Sequence, residues 1–503
     1  MVINLNLLKL NIRSIQNIAF ITSIIYIIIA SLSLYIFSFP SDLDTNRVLS
    51  SIYISLEKNK ISTYYYQPGI GYQTLIYILT KVTSINYISI SIFVMLLSNL
   101  LLFIFIFVIL REFTNSFNAS IISLLNYVSI DYLYYITRLK PEPIIALFLI
   151  LSFYILKFSN KSYYIIYPIF FALALFNSMV SVVISFIYLF VYVFTKNRVY
   201  LYYLITMLVF SSIVSLIINS FSASLFSIKQ ISTEFYSNLS FNHSSLVNYF
   251  NPSTYGAFSS LFITYYNIFE SFILRLPEFL VIFLSLLSAI FYSKKSLYSL
   301  DFKYLYLIIM SISIAFILSN FILSYIFSIW FLIGIYFYPI AVILTSLIIC
   351  KNRKLFVLVI IIILIFMPIT ILHQTNNQAI VRIPNAVYNY ETQAINYFTY
   401  FYKQNGTTVY IDYRLASYIE YSGTINSLYL NTENFNPYYP TEGIYFISYI
   451  YITQGMWNIQ FPTNDAYKLG LSQYYNKSYL NELYSYGNIL YSSQYFSIIN
   501  YLS

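Results

Sequence analysis

Apolar stretches of about 20 residues recur through the first three quarters of this 503-residue chain. That is the length of helix needed to cross about 30 Å of hydrocarbon. Backbone N–H and C=O groups find no water inside a bilayer, so such stretches fold as helices that satisfy their own polar groups. Composition closes off the other classes. Charged residues make up 9% of the chain and apolar residues 59%, against about 25% charged in a typical soluble domain. A soluble fold of this length could not solvate its surface, and the chain is too apolar for a disordered one. The expected fold class is a polytopic α-helical membrane protein.

Eleven apolar runs read as spans, near 18–39, 87–110, 117–136, 144–157, 162–176, 178–195, 199–219, 277–293, 304–322, 325–349 and 355–372. The fourth and fifth are short enough to suit tilted or re-entrant geometry. Lys9 and Arg13 precede the first run as they would a secretory signal. That run is too long for a signal core, however, and ends at Pro40-Ser41-Asp42 with no small-residue cleavage site, so it reads as a retained helix.

Charge predicts the orientation. With the N-terminus inside, the inner segments hold thirteen basic residues against the acids Glu112 and Asp301. The outer segments hold the other thirteen bases and fifteen acids, so the net +9 divides into +11 inside and −2 outside. The inner bases sit in very short loops, where Lys and Arg bias insertion. The +9 therefore belongs to membrane orientation, not to nucleic-acid binding. The expectation is a multi-pass protein of the cell membrane with its N-terminus cytoplasmic.

Three segments then fall outside: the loop 40–86, the loop 221–276 and the region 373–503. The chain divides into a transmembrane domain, 1–372, and an extracytoplasmic C-terminal domain, 373–503, long enough for a domain of its own. Thr408 to Asp412 and Gly443 to Ile447 read as strands, and Glu391 to Tyr402 as an amphipathic helix, which predicts a small α/β domain. Sequons at Asn238, Asn242, Asn405 and Asn476 fall outside and support this topology weakly, since Asn118 and Asn160 on the inner side match too. The aromatic content is high, 58 Tyr and 45 Phe. Interfacial belts explain part of it, but not the Tyr-rich C-terminal quarter.

A single cysteine, Cys350, excludes an internal disulfide, and with only His243 and His373 beside it a zinc site is not expected. Charges at the membrane are costly and so carry information. Asp42 and Asp44 lie directly outside the first span. A carboxylate there is partly desolvated and could serve as a general base; a solvated helix end capped by Asp accounts for the same residues. The loop continues through an amphipathic stretch, Asn46 to Lys60, to Tyr64-Tyr65-Tyr66-Gln67-Pro68-Gly69. Tyr65, Tyr66 and Gln67 could stack on or hydrogen-bond a sugar, although an interfacial belt favours Tyr here as well.

The second cluster is Arg138-Leu139-Lys140-Pro141-Glu142, between the third and fourth runs. Two cations at that depth suit a lipid-linked phosphate, Arg by bidentate contact; a charged turn that merely separates two spans is the plainer account. Asp131, two helical turns earlier, is a secondary candidate. Arg275, at the start of the eighth run, is a further phosphate ligand or a snorkelling interfacial Arg. His243 and His373 show nothing beyond incidental positions.

In order and sidedness these clusters resemble the GT-C superfamily of integral-membrane glycosyltransferases, and within it the branch of the dolichyl-phosphate-mannose protein mannosyltransferases and lipid A aminoarabinose transferases. That branch has an acid just after span one, where Asp42 and Asp44 stand. A proline-containing element follows before span two, as in Tyr65-Tyr66-Gln67-Pro68-Gly69. A second acid follows span three, where Glu142 stands. The resemblance covers residues 15–200 well, the later spans in pattern only and the C-terminal domain hardly at all. Asp42 and Asp44 are separated by Leu43 rather than adjacent; Asp44 is the preferred base, with Asp42 next.

The resemblance implies transfer of a sugar from a polyprenyl-phosphate donor to a protein or glycolipid acceptor on the outer face. Displacement would invert the anomeric centre, with Asp44 or Asp42 as general base, Glu142 in the catalytic set, and Arg138, Lys140 and Arg275 on the donor phosphate. No cofactor is required in that branch, although Asp42, Asp44 and Glu142 could form an oxygen-only Mg²⁺ or Mn²⁺ site. The competing expectations are a transporter or flippase of lipid-linked sugars, or an oligosaccharyltransferase-like enzyme of the same superfamily. A transporter should place ionisable residues near the bilayer midplane, often in discontinuous helices and inverted repeats, whereas the charges here sit at span edges and the midplane shows neutral polar residues such as Asn177 and Asn320. No Trp-Trp-Asp element occurs in the C-terminal domain; Trp457 lies in Gly455-Met456-Trp457-Asn458.

Overall fold

The computed structural model describes residues 12–39, 43–61, 69–112, 114–155, 163–177, 198–217, 276–292, 328–375, 387–401, 408–411, 429–431, 442–448, 456–460, 468–472, 487–493 and 496–501, with isolated positions between them. Three of the described helices are long and apolar enough to cross a membrane: α1 (Ile12–Leu32), α5 (Tyr87–Arg111) and, late in the chain, Arg353–Thr375. Between α1 and α5 come a short α2 (Leu34–Phe37), a strand β1 (Ser38–Phe39), α3 (Leu43–Lys58) and α4 (Gly71–Thr83). The amphipathic stretch after the first run is thus a real helix, α3, and Asp44 lies in its first turn.

The run 117–136, expected as one helix, is two: α6 (Ser116–Leu124) and α7 (Ile130–Ile136). The reason lies in its polar residues. After Leu124 the ladder tightens to three-residue steps, with Asn126 N donating to Ser123 O (3.2 Å) and Tyr127 N to Leu124 O (2.8 Å), the tight geometry that commonly ends an α-helix. Ser129 then caps the new helix, its Oγ accepting from Tyr132 N at 3.1 Å. Other helices take up the carbonyls released by the break. Tyr26 of α1 donates to Tyr127 O (3.0 Å) and Tyr338 to Leu125 O (3.4 Å). Tyr127 in turn donates to Asn99 O of α5 at 2.7 Å. Irregular backbone inside an apolar bundle survives only when its polar groups are satisfied in this way.

Further described helices are α8 (Glu142–Ile155), α9 (Tyr163–Phe176), α10 (Arg198–Ile217), α11 (Leu276–Tyr292), α12 (Ser328–Ile349) and α13 (Arg353–Thr375). The expected run 178–195 is described only in part, and 304–322 lies outside the described residues. Asn177, expected within the bundle as a mid-span polar residue, instead ends α9, its Oδ1 accepting from Val180 N at 3.1 Å. The helices share one buried apolar cluster, drawn from α1, α5 to α13 and the segment between α9 and α10.

The C-terminal region is α/β. Strand β2 (Val387–Tyr388) leads into α14 (Asn389–Phe401), and β3 (Thr408–Tyr410), β4 (Tyr429–Asn431), β5 (Gly443–Ser448), β8 (Asn488–Ser492) and β9 (Phe496–Tyr501) form a five-stranded sheet in the order β4-β3-β5-β9-β8. β3 is parallel to β4 and β5; β9 is antiparallel to β5 and β8. A separate hairpin pairs β6 (Met456–Gln460) with β7 (Lys468–Ser472). Every residue of β5 is buried. Gly443 opens it at φ +153°, where an added Cβ would lie 2.7 Å from the Tyr410 ring, so this position requires glycine.

Two features join this region to the first loop. β1 pairs antiparallel with β2, Ser38 opposite Tyr388 and Phe39 opposite Val387. One contiguous buried cluster also takes in Val48, Leu49 and Ile52 of α3, Ala394, Ile395 and Phe398 of α14, and Ile444 and Phe446 of β5.

Candidate functional site

The turn between α7 and α8 is held in place from several directions. Asn99 Nδ2 of α5 donates to Ile136 O at 3.0 Å, and Tyr35 OH of α2 donates to Thr137 O at 2.6 Å. Lys140 N closes on Arg138 O at 2.9 Å, and Ile145 N on Pro141 O at 2.9 Å as α8 begins. The turn therefore has a defined conformation on a rigid frame, not the mobility of a surface linker.

Its charges are buried. Arg138 is 0% exposed, Lys140 3% and Glu142 4%, and Arg138 is the largest fully buried side chain among the described residues. A turn that only separated two helices would leave these groups in solvent, since each ion withdrawn from water costs several kcal/mol before pairing. All three engage neighbouring residues. Glu142 stands in the first turn of α8, where the helix dipole favours a negative charge. Two cations and one carboxylate give this buried turn a net positive charge, suited to an anion that brings its own oxygens.

The first loop meets this turn through α4. Tyr72 is buried, and burial, with the Glu142 carboxylate adding to it, pushes its phenol well above the usual tyrosine range, while Ser91 of α5 opposes the shift. Tyr72 therefore stays protonated close to Glu142. Just before α4 the chain presses on the end of α9. A Cβ on Gly69 would lie 2.3 Å from Phe176 O and 2.5 Å from Leu175 O, so only glycine permits the approach.

Sequence reasoning passed over one buried acid. Glu278, in the first turn of α11, is 9% exposed and accepts a short hydrogen bond from Ser129 Oγ, the cap of α7. The signal available was an acid at the second position of the apolar run 277–293, three residues after Arg275. Among the described residues no group of three or more His, Cys, Asp or Glu side chains could hold a metal ion. Arg138, Lys140 and Glu142 are thus brought together, with Tyr72 beside them. Asp44 is placed by its backbone at the start of α3; its carboxylate, together with Asp42, Tyr65, Tyr66, Gln67 and Arg275, lies outside the described residues, as does the side chain of Asp131.

No protein-family model matches the sequence, and no curated protein sequence matches it. Among solved structures, the chain is similar to the crystal structure of the oligosaccharyltransferase of Archaeoglobus fulgidus in its apo form, with a TM-score of 0.54 over 94% of this chain and 80% of that one, at 10% identity. The likeness is one of fold.

Proposed function

We propose that this chain is a membrane glycosyltransferase that moves a sugar from a polyprenyl-phosphate donor to an acceptor on the outer face of the membrane, without a required cofactor. The observation that carries the reading is the buried Arg138–Lys140–Glu142 turn, set within a fold shared with an oligosaccharyltransferase. The acceptor hydroxyl gives its proton to Asp44, or to Asp42, as its oxygen bonds to the anomeric carbon. The bond from that carbon to the phosphate oxygen breaks, and the electron pair leaves with the lipid phosphate. Arg138 and Lys140, joined by Arg275, stabilise the developing charge; one well-placed donor of this kind contributes about 3–4 kcal/mol in other enzymes. Attack from the face opposite the leaving group inverts the sugar. Tyr65, Tyr66 and Gln67 contact the sugar or acceptor. Asp42, Asp44 and Glu142 would supply an oxygen-only ligand set for Mg²⁺ or Mn²⁺, and no step here runs through such an ion.

Two other readings each have an observation in their favour. The fold likeness favours an oligosaccharyltransferase-like enzyme, whose donor would carry an oligosaccharide. The interrupted α6–α7 run is the feature that would suit a transporter or flippase of lipid-linked sugars.

Purified protein incubated with labelled polyprenyl-phosphate sugars separates all three. Label on the acceptor from a monosaccharide donor supports the proposal. Label only from an oligosaccharide donor supports the second reading, and relocation of intact donor across proteoliposomes supports the third. Asp42→Ala, Asp44→Ala and Glu142→Ala should insert normally, and loss of transfer is expected for Glu142→Ala and for whichever Asp is the base, by about 10²-fold or more. Full activity in all three would remove the assignment.

A further inference from the structure

Asn99 shows how a buried amide can be held in this bundle. Asn99 donates from one nitrogen to Ile136 O and to Ser31 Oγ. Gln73, next to Tyr72, has no such bonds. It is 1% exposed, and neither its Nε2 nor its Oε1 has a hydrogen-bond partner among the described residues. Withdrawing an amide from water for no partner destabilises a fold, so such a group calls for a reason.

Its position supplies one. Tyr72, Gln73 and Ile76 are the buried residues of α4, and Ile76, four residues from Tyr72 and three from Gln73, groups them on one inward face. Tyr72 and Ile76 belong to the same apolar cluster as Leu139 and Ile144, which flank Lys140 and Glu142. Tyr72 lies close enough to Glu142 for the carboxylate to act on its phenol. Gln73 adjoins Tyr72 on this face, which places it in the neighbourhood of the charged turn. Asn126, another buried amide lacking a partner among the described residues, lies instead within the α6–α7 interruption.

An uncharged amide offers one acceptor and two donors from a single planar group. That pattern matches neighbouring hydroxyls of a sugar, one donating to Oε1 and the other accepting from Nε2. It matches a phosphate poorly, because Oε1 would face the anion's oxygens. Arg138 and Lys140 serve the phosphate end. We infer that Gln73 is a donor-sugar contact that reads adjacent hydroxyls of the lipid-linked sugar; this rests on the glycosyltransferase reading.

Gln73→Leu tests it, since leucine keeps approximate size and removes both polar atoms. An amide that awaits a ligand and one that holds the fold respond oppositely. Replacing an unsatisfied buried group by an apolar one is neutral or stabilising, so Q73L should melt at or above the wild-type temperature. Stabilisation by polyprenyl-phosphate sugar over bare polyprenyl phosphate, read as a melting shift, should be present in the wild type and lost in Q73L. In transfer assays the donor KM should rise about ten-fold or more, since a site built to bond a hydroxyl rejects whatever breaks that bond. Deoxy donors should be discriminated against by the wild type and not by Q73L.

A lowered melting temperature in Q73L with an undiminished sugar-dependent shift overturns the inference and makes Gln73 a structural residue. Equal discrimination against deoxy donors in both proteins overturns it as well. A sugar-dependent shift that Q73L abolishes, in a protein that transfers no sugar, upholds Gln73 and overturns the transferase reading alone.

Discussion

Gly69 shows how one atom can matter at the residue scale. Its missing Cβ lets the loop touch the last carbonyls of α9, which a methyl group would overlap at 2.3 Å. The obstacle is backbone, not a side chain that can swing aside, so Gly69→Ala must push α4 away from α9. Overpacking of this kind costs about 1–3 kcal/mol. The measurement is thermal unfolding of the purified protein, where G69A should melt several degrees lower. Gly71→Ala, whose Cβ would meet Leu175 C at 3.0 Å, should lose less. Equal melting temperatures for G69A and the wild type would mean that the loop does not rest on α9. Because Tyr72 lies three residues on, near Glu142, G69A should also impair any binding at the charged turn.

At the element scale the pivotal piece is α7, seven residues long and too short to persist alone. Its cap, Ser129, accepts from Tyr132 N and donates to Glu278 of α11, so two separate helices fix where the Arg138 turn begins. Ser129→Ala and Glu278→Ala should each cost about 1–2 kcal/mol, from a lost cap and a lost buried hydrogen bond. The double variant should cost little more than either one, since both changes remove the same contact. Additive losses in a double-mutant cycle would show that the two residues act independently. None of this was legible in the sequence. The apolar run 117–136 gave no sign of a break, because Asn126 and Ser129 are ordinary residues in a chain rich in both. What decides the break is the arrival of Tyr26 and Tyr338 from distant helices to satisfy its carbonyls. The charged turn was legible, because five residues with two cations, an acid and a proline cannot hide in hydrocarbon; its burial was not, since that depends on neighbours that pattern does not name.

At the scale of the whole molecule, periodicity foresaw α14, β3 and β5 but not what they rest on. The strand pair that joins the two ends of the chain, β1 with β2, is two residues long on each side and separated by more than 340 residues. Local pattern is blind to such a pairing, since a two-residue strand has no period. Its consequence is mechanical: Phe39 is three residues before Asp42, so the C-terminal region holds the chain that carries the candidate base. Phe39 and Val387 are directly opposed. Opposed residues of an antiparallel pair have Cα atoms about 4.5–5.5 Å apart, within the range a disulfide spans. In a Cys350→Ser background, Phe39→Cys with Val387→Cys should therefore crosslink under mild oxidation. Cys350 would interfere little in any case, because burial pushes its thiol upward and lowers its thiolate fraction at neutral pH. The oxidised protein should keep its transfer activity and resist unfolding of the C-terminal region better than the reduced one. Failure to crosslink would refute the pairing, and crosslinking that abolishes transfer reversibly would show that the ribbon opens during turnover. Retained activity would leave the C-terminal region as a fixed wall of the site, set by the same strand pair that places the start of the first loop.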